Sequence, residues 1–483
     1  MGTRLSSLDL AFLGLESQRT PVNVAALQIF EIPKGYKGNF VRDLIARMME
    51  LEAGPPFNVK LSSTSTLTLP SWVHDDEFDL GYHVRHSAVP KPGAMKDLLE
   101  VVSRLHSRIM DRERPLWEFH VIEGLQNRRF AVYFKMHHSA VDGMGGVAIL
   151  EGCMTQEPTE DLRAPWQELP KRKKAGFDWN PVRAMSSVVD GALHQLNMGR
   201  DVGKLLLGHG SKLIGLQPAD SPVPFTAPKS IFNVRISGAR RFLTTEMSLS
   251  ETKLLAKQSG ASLNDVILAI CGGALRRYLL DKQALPEQTL VATVPVSIRH
   301  INRAGNAITY VGAKLGTEVE DPMQRLLEIR RSTHQAKAEV SEVEPDAAIT
   351  FAVMAQGIVG VMNKLGLHDL LPPPANVVVS NVPGPRHELY FGEAKLLANY
   401  PMSVLVDGQA LNITVMSYCD TIDFGVMACR HTLPDVDVLG DYLQQAKADL
   451  EKAVARTGGA ARARRKKAKK LRRLSTVKKK KAG

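Results

Sequence analysis

Residues 129–146 read RFAVYFKMHHSAVDGMGG, an apolar run that ends in two adjacent histidines and is followed by an aspartate and a glycine-rich turn. Read as a strand, the run alternates. Phe130, Val132, Phe134, Met136 and His138 fall on one face, and Ala131, Tyr133, Lys135 and His137 fall on the other. His138 thereby ends the apolar face, where it can look into a cleft or lobe interface, while His137 points away. An imidazole so placed titrates near neutral pH and can take a proton from a hydroxyl or amine as that group attacks a carbonyl. Asp142 can orient such a site without itself reacting. Two plainer uses compete with this one. Ser139 and Asp142 form an S-x-x-D capping pattern for a helix starting near Gly143, and a histidine that closes a strand can be simply a satisfied polar residue. A metal site is not expected, because it needs a third ligand that the pattern does not supply.

A chain of 483 residues exceeds one ordinary core, so two domains or one large two-lobed domain is expected. The 44% apolar and 23% charged fractions read as soluble and globular. Cys153, Cys271, Cys419 and Cys429 are scattered, which argues against a disulfide framework or a zinc ligand set and for a reducing, cytosolic compartment. Asp9, Glu16 and Arg19 stand where a cleaved signal peptide would need a basic start and an apolar core. The uncharged stretch Ala347 to Asn363 is 17 residues long and includes Gln356, Gly357 and Gly360. It falls short of the ~20 apolar residues of a membrane span and reads as a buried core helix.

Strand-like runs at 22–32 (VNVAALQIFEI) and 129–136 alternate with helical spacing at 95–110 (MKDLLEVVSRLHSRIM), which makes this an α/β chain. Eight of the 27 prolines lie between Pro158 and Pro228. The expected organisation is a first lobe over 1–155, a Pro-rich crossover linker over 156–231 with a helix near 182–215, and a second lobe over 232–457. In the second lobe, SLNDVILAICGGALRRYLL (262–280) opens on a Ser262/Asp265 capping box, and NVVVS (376–380), LNITVMSY (411–418) and DFGVMAC (423–429) read as strands. Gly272 and Gly273 cost that helix ~1 kcal/mol each relative to alanine; close approach of a neighbouring element, or of a ligand, would explain them. The formal charge of +12 belongs to one end: residues 458–483 hold 13 Lys and Arg and no acid, leaving 49 basic against 50 acidic residues in the rest.

HHSAVDG (137–143) fits the HHxxxDG signature of the coenzyme-A-dependent acyltransferases, the superfamily that includes chloramphenicol acetyltransferase and peptide-synthetase condensation domains. Further blocks narrow the resemblance: DRERPLWEFHVIEGL (111–125), SLNDVILAICGGALRRYL (262–279), VPVSIR (294–299), VVVSNVPGPRHELYFGEAKL (377–396) and YPMSVLVDGQALNITVMSY (400–418). In this order, from Leu8 to about Leu443, the chain resembles the bacterial wax ester synthase/diacylglycerol acyltransferase family. The resemblance implies two chloramphenicol-acetyltransferase-like lobes with a substrate tunnel between them. It also implies transfer of a fatty acyl group from acyl-CoA to a long-chain alcohol or diacylglycerol, with no cofactor beyond the coenzyme A thioester used as substrate. Carried over by motif, His138 is the general base, Asp142 holds the loop in shape, His137 supports it and Gly143 leaves room for substrate. By analogy with the Asp–Arg pair of the superfamily, Arg299 is the expected structural partner of Asp142.

Base removal of the hydroxyl proton during attack on the thioester is worth ~10²–10⁴-fold, and a thiolate leaves readily, so no covalent intermediate is required. An oxyanion donor should complete the site. Asn264, Ser380 and Asn381 are candidates, although a helix first turn and a Pro-Gly turn use such residues anyway. Trp117 in PLW (115–117) can line an acyl tunnel or simply pack. Two other functions stay open: a condensation or polyketide-type acyltransferase using carrier-protein thioesters, and a non-catalytic lipid-droplet surface protein. The tail spaces Ala468, Leu471, Leu474 and Val477 every three residues among its charges, the pattern of a short basic helix with an apolar edge. An anionic membrane or lipid-droplet surface is its expected partner, nucleic acid the weaker alternative. The expected location is cytoplasmic, peripheral on the inner membrane face or on lipid droplets.

Overall fold

Apolar alternation and helical spacing translate into strands and helices in a computed structural model that describes residues 3–5, 7–64, 69–141, 143–167, 220–297, 308–342 and 372–457. The first part of the chain forms β1 (Thr3–Arg4), α1 (Ser7–Leu15), β2 (Asn23–Glu31), α2 (Phe40–Met49), β3 (Val59–Leu61) and β4 (Ser71–His74). It continues with α3 (Leu80–His83), β5 (Val84–Ala88), α4 (Met95–His106), β6 (Trp117–Leu125), β7 (Arg129–His137) and α5 (Gly143–Gly152). Then follow β8 (Arg240–Ser248), α6 (Leu249–Ser259), α7 (Leu263–Asp281), β9 (Val291–Ser297), β10 (Ile308–Lys314) and α8 (Pro322–Ser341). The chain closes with β11 (Val377–Val382), β12 (Tyr390–Phe391), β13 (Ala394–Met402), β14 (Leu411–Tyr418), β15 (Thr421–Cys429) and a helix α9 over 438–457.

The strands build two six-stranded sheets, one in the order β12-β13-β2-β7-β6-β5 and the other in the order β10-β9-β11-β14-β15-β8, with β1-β4-β3 as a small third sheet. The mixed α/β class and the two-lobed arrangement are those expected. The first lobe fills one face of its sheet with aromatic side chains, among them Phe30, Phe119, Phe130, Phe134 and Trp166. The second packs α7 and α9 on its sheet around Leu268, Leu275, Ile413 and Phe424. Between the lobes, Ile29, Tyr133, Val102 and Tyr400 of the first meet Phe242 and Met427 of the second.

The α7 capping box is made as expected: the Ser262 hydroxyl accepts the Asp265 amide (3.2 Å), and the Asp265 carboxylate accepts the Ser262 amide (2.9 Å). The glycines inside α7 answer to packing. A Cβ on Gly272 would come within 2.2 Å of the Leu315 carbonyl oxygen, and one on Gly273 would reach 3.0 Å from Ala446 and Arg325.

The lobes depart from the expected sequential boundaries in two places. Residues 390–402 do not stay in the second lobe, because β13 pairs antiparallel with β2, from Lys395↔Glu31 to Met402↔Ala25, and β12 pairs with β13. The reason lies in β2, whose mostly buried apolar run needs a strand on each side; left as an edge it would present open backbone groups. The expected linker also begins later than 156. Leu162, Ala164 and Trp166 are buried in the first lobe's core, and the Trp166 indole donates to the Leu51 carbonyl (3.0 Å). The linker helix near 182–215, the apolar stretch 347–363 and the tail 458–483 lie outside the described residues. Among the described residues no helix is long and apolar enough to cross a membrane.

The junction of the two sheets buries a carboxyl group. Asp423 of β15 is fully buried and accepts the Asn399 amide of β13 (2.8 Å), close to a bulge between Leu396 and Ala398. Glu246 stands opposite it on β8 and takes the Tyr400 hydroxyl. Burial, with the Glu246 charge adding to it, outweighs the Asn399 hydrogen bond and pushes the Asp423 carboxyl up to about 7. An unfolded aspartate titrates near 4, so the folded protein retains a proton that the unfolded chain releases, and stability is lost as pH rises through this interval. Asp423→Asn should therefore stabilise more at pH 8 than at pH 5, by about 2–3 kcal/mol. Equal shifts in denaturation midpoint at the two pH values would refute this account.

Candidate active site

The face assignment of β7 holds along the strand. Phe130, Val132, Phe134 and Met136 enter the first lobe's aromatic core, and Ala131 and Tyr133 face the junction with the second lobe. The strand ends one residue earlier than expected, at His137, and His138 lies in the turn that follows. Ladder bonding nevertheless continues past the end: the His137 amide donates to the Leu116 carbonyl (3.0 Å) on one side, and the His138 amide donates to the Val22 carbonyl (3.0 Å) on the other. The two histidines are thus fixed in backbone and face different surroundings.

His137 is sealed, at 0% exposure. Its Nδ1 accepts from the Ser139 amide (3.1 Å) and the Ser139 hydroxyl (2.7 Å), so the neutral ring carries its proton on Nε2. That nitrogen stands 3.3 Å from the Glu16 carboxylate, an electrostatic contact rather than a well-aligned hydrogen bond. The connectivity is that of a Ser–His–acid relay. Ser139 is only 5% exposed, so the arrangement acts as a tautomer lock.

Glu16 follows directly on α1, whose Leu13 packs on Met110 and Leu116. Arg112 donates from Nε to the Glu16 carboxylate (3.0 Å) and from Nη2 to the Leu13 carbonyl at the end of α1 (2.7 Å). Burial works against the Glu16 charge, but the His137 contact together with the hydrogen bond and charge of Arg112 outweigh it and hold the carboxyl below its ordinary range. The same helix presents Phe12, whose ring stacks on His138 with centroids 4.2 Å apart and planes at 26°. His138 itself is only partly buried, unlike its neighbour.

A second buried network lies under the other flank of β7. Lys135 pairs with Glu118 (2.8 Å) and donates to the Leu105 carbonyl (3.3 Å), while His120 also contacts Glu118 (3.1 Å). Burial opposes the Glu118 charge, yet hydrogen bonds from His120 and Lys135, with the Lys135 charge, hold its carboxyl down to about 2. Asn23, in register with His137, ties the Arg108 carbonyl (2.9 Å). These contacts fix the segment that leads from α4 to Arg112.

Of the other residues singled out in the sequence, Gly143 begins α5, as the capping pattern expects. Asp142 and Arg299 lie outside the described residues. Asn264 stands, half-buried, in the first turn of α7; Ser380 and Asn381 sit in register with Thr414 and Val415 of β14. Among the described residues, none of the three joins the hydrogen-bonded network around His137 and Glu16. Trp117 takes the packing alternative: it is 3% exposed, donates to the Phe57 carbonyl (2.7 Å) and stacks on Trp166. Phe12, Glu16 and Arg112 were not singled out, although Arg112 lies inside the DRERPLW block.

Comparison with known proteins shows the family to which this fold belongs. The family model for the wax ester synthase/diacylglycerol acyltransferase catalytic domain matches residues 5–267, and that for the WS/DGAT C-terminal domain matches residues 304–451. A putative diacylglycerol O-acyltransferase of Mycobacterium tuberculosis H37Rv is 40% identical over 459 residues, covering 93% of this chain and 100% of the relative. O-acyltransferase WSD of Acinetobacter baylyi is 38% identical over 456 residues, covering 94% of this chain and 98% of the relative. The solved structure of wax ester synthase/diacylglycerol acyltransferase from Marinobacter aquaeolei VT8 superposes with a TM-score of 0.74 at 34% identity, covering 94% and 100% of the two chains. The first condensation domain of the CDA synthetase shares the fold, with a TM-score of 0.54 at 13% identity over 93% and 96% of the chains. The two-lobed chain with its paired histidines at the end of β7 belongs to the wax ester synthase/diacylglycerol acyltransferase family.

Proposed function

We propose that this protein moves a fatty acyl group from acyl-CoA to the hydroxyl of a long-chain alcohol, a diacylglycerol or both, with His138 as general base. The observation that carries the reading is the contrast between the two histidines: one sealed and locked by Glu16 and Ser139, the other partly exposed and held by Val22 and Phe12. A base must reach the proton it removes, and of the two only His138 is open to a substrate. The acceptor hydroxyl loses its proton to His138 as its oxygen attacks the thioester carbonyl. The tetrahedral intermediate then collapses with loss of the coenzyme A thiolate, which the protonated imidazole can neutralise. Asn264, Ser380 and Asn381 remain the proposed oxyanion or substrate contacts. Asp142, paired with Arg299, is proposed to shape the loop, and no cofactor is needed beyond the thioester substrate.

Incubation of the purified protein with palmitoyl-CoA and either hexadecanol or dipalmitoylglycerol should yield the wax ester, the triacylglycerol or both. Ester formation only from acyl-carrier protein would instead support a condensation-type enzyme. No coenzyme A release in any arm would support a non-catalytic surface protein.

The basic tail is proposed to hold the enzyme on an anionic membrane or lipid-droplet surface, since its substrates dissolve there. Each Lys or Arg near such a surface contributes ~1 kcal/mol, screened by salt. Truncation after Thr457 should leave turnover of detergent-dispersed substrate nearly unchanged and weaken sedimentation with anionic vesicles, and binding of the full-length protein should fall as salt rises. Equal sedimentation of the two forms at low salt would exclude the tail as anchor.

A further inference from the structure

Arg240 opens β8 in the second lobe and is 3% exposed, yet among the described residues no carboxylate forms an ion pair with it. Its guanidinium donates to two backbone carbonyls, that of Ser237 in its own lobe and that of Arg19 in the first lobe, the latter at 2.9 Å. Burial outweighs the attraction of Cys429 and Asp407 and pushes the group down to about 10. A buried charge with no carboxylate in direct contact is costly, and an apolar side chain of similar volume in its place is often neutral or stabilising. Stability alone therefore does not explain this arginine.

Its position does. Arg19 lies in a turn closed by two backbone bonds, Ser17 amide to Thr20 carbonyl (3.1 Å) and Thr20 amide to Ser17 carbonyl (2.9 Å). On one side of the turn Glu16 faces His137 at 3.3 Å, and on the other the Val22 carbonyl receives the His138 amide at 3.0 Å. The second lobe grips the turn at a further point: a Cβ on Gly238 would come within 2.5 Å of the Gln18 carbonyl oxygen. The Arg240 amide also donates to the Ser107 hydroxyl (2.9 Å) at the end of α4, on the segment that leads to Arg112.

We propose that Arg240 is a positioning residue, clamping the 16–23 turn from the second lobe so that both motif histidines are held for catalysis. The inference rests on the reading of His138 as the base. A displacement of about 1 Å at a reacting group can cost ~10²-fold, so a loosened turn should appear in kcat before it appears in binding.

The test uses the full-length protein, palmitoyl-CoA with its preferred acceptor, coenzyme A release and the thermal midpoint. Arg240→Met should lower kcat by about 10-fold or more, leave KM for both substrates within about 2-fold, and leave the midpoint unchanged or higher. Arg240→Lys, which keeps the charge but not the two-pronged reach, should recover part of kcat. Gly238→Ala should lower kcat with Arg240 intact by pressing on the same turn. Wild-type kcat in a folded Arg240→Met, or a loss of kcat matched by loss of folded protein, overturns the proposal. Should Arg240→Met not fold, unchanged kcat in Gly238→Ala overturns it. His138→Ala, measured in parallel, separates the two claims: activity there refutes the base itself, whereas its loss alongside an unaffected Arg240→Met refutes only the clamp.

Discussion

His138→Ala is expected to reduce ester formation by ~10²–10⁴-fold, the usual worth of a positioned general base, with little change in thermal stability. The ring is partly exposed and contacts Phe12 by stacking, so its removal leaves no sealed cavity. His137→Ala should behave in the opposite sense. It deletes a fully buried ring and leaves the Ser139 hydroxyl without its acceptor, at about 1–3 kcal/mol for an unsatisfied group, while Glu16 keeps Arg112 and a measurable rate survives. Initial rates of coenzyme A release, read beside denaturation midpoints, separate the two effects. Equal rate losses in two folded variants would refute the division of labour.

Glu16→Gln should damage stability and rate together. The carboxylate is almost wholly buried and bonded to Arg112, and removal of one partner of a buried pair costs ~3–5 kcal/mol. Arg112 keeps 29% of its side chain in solvent, which favours the lower end of that range. Because Glu16 titrates below its ordinary value in the fold, its contribution is complete above the unfolded carboxyl range near pH 4–5 and is lost as pH falls through the lower folded value. The wild-type advantage over Glu16→Gln should thus be level from pH 6 to 8 and shrink toward pH 3. Arg112→Met in the Glu16→Gln background should cost much less than in the wild type. Additive losses would mean that the pair does not act as a unit.

Glu16 marks the boundary of what one sequence reveals. In the sequence it is visible only as a charge that argues against a signal peptide, because its partners, Arg112 and His137, are far away along the chain and periodicity carries no long-range pairing. Where structure follows local pattern it was legible: the alternation of β2 and β7, the helical spacing of α4, and the capping box that starts α7. The divergence of the two histidines, one sealed and one partly exposed, was legible for the same reason, since neighbouring residues at a strand end take opposite sides. Strand membership across lobes was not. Nothing local in ELYFGEAKLLANYPM tells β13 to seek β2 instead of its chain neighbours, and nothing in the Pro-rich stretch after 155 distinguishes the buried Trp166 from the linker beyond it.

The placement of β13 bears on how the protein is made. The first lobe emerges from the ribosome with β2 open along one side, and its partner strand is not synthesised until residues 394–402. Until then a largely apolar strand has an unpaired edge, the condition in which nascent chains associate wrongly. The turn that seats the two histidines waits as well, for Gly238 and Arg240. An N-terminal fragment would carry the whole HHSAVDG motif and lack both the strand that closes its sheet and the second-lobe contacts to the turn beside the histidines. The histidine motif is encoded in the first third of the chain, whereas the strand that completes its sheet is encoded only at residues 394–402, so the first lobe's sheet can close only late in translation.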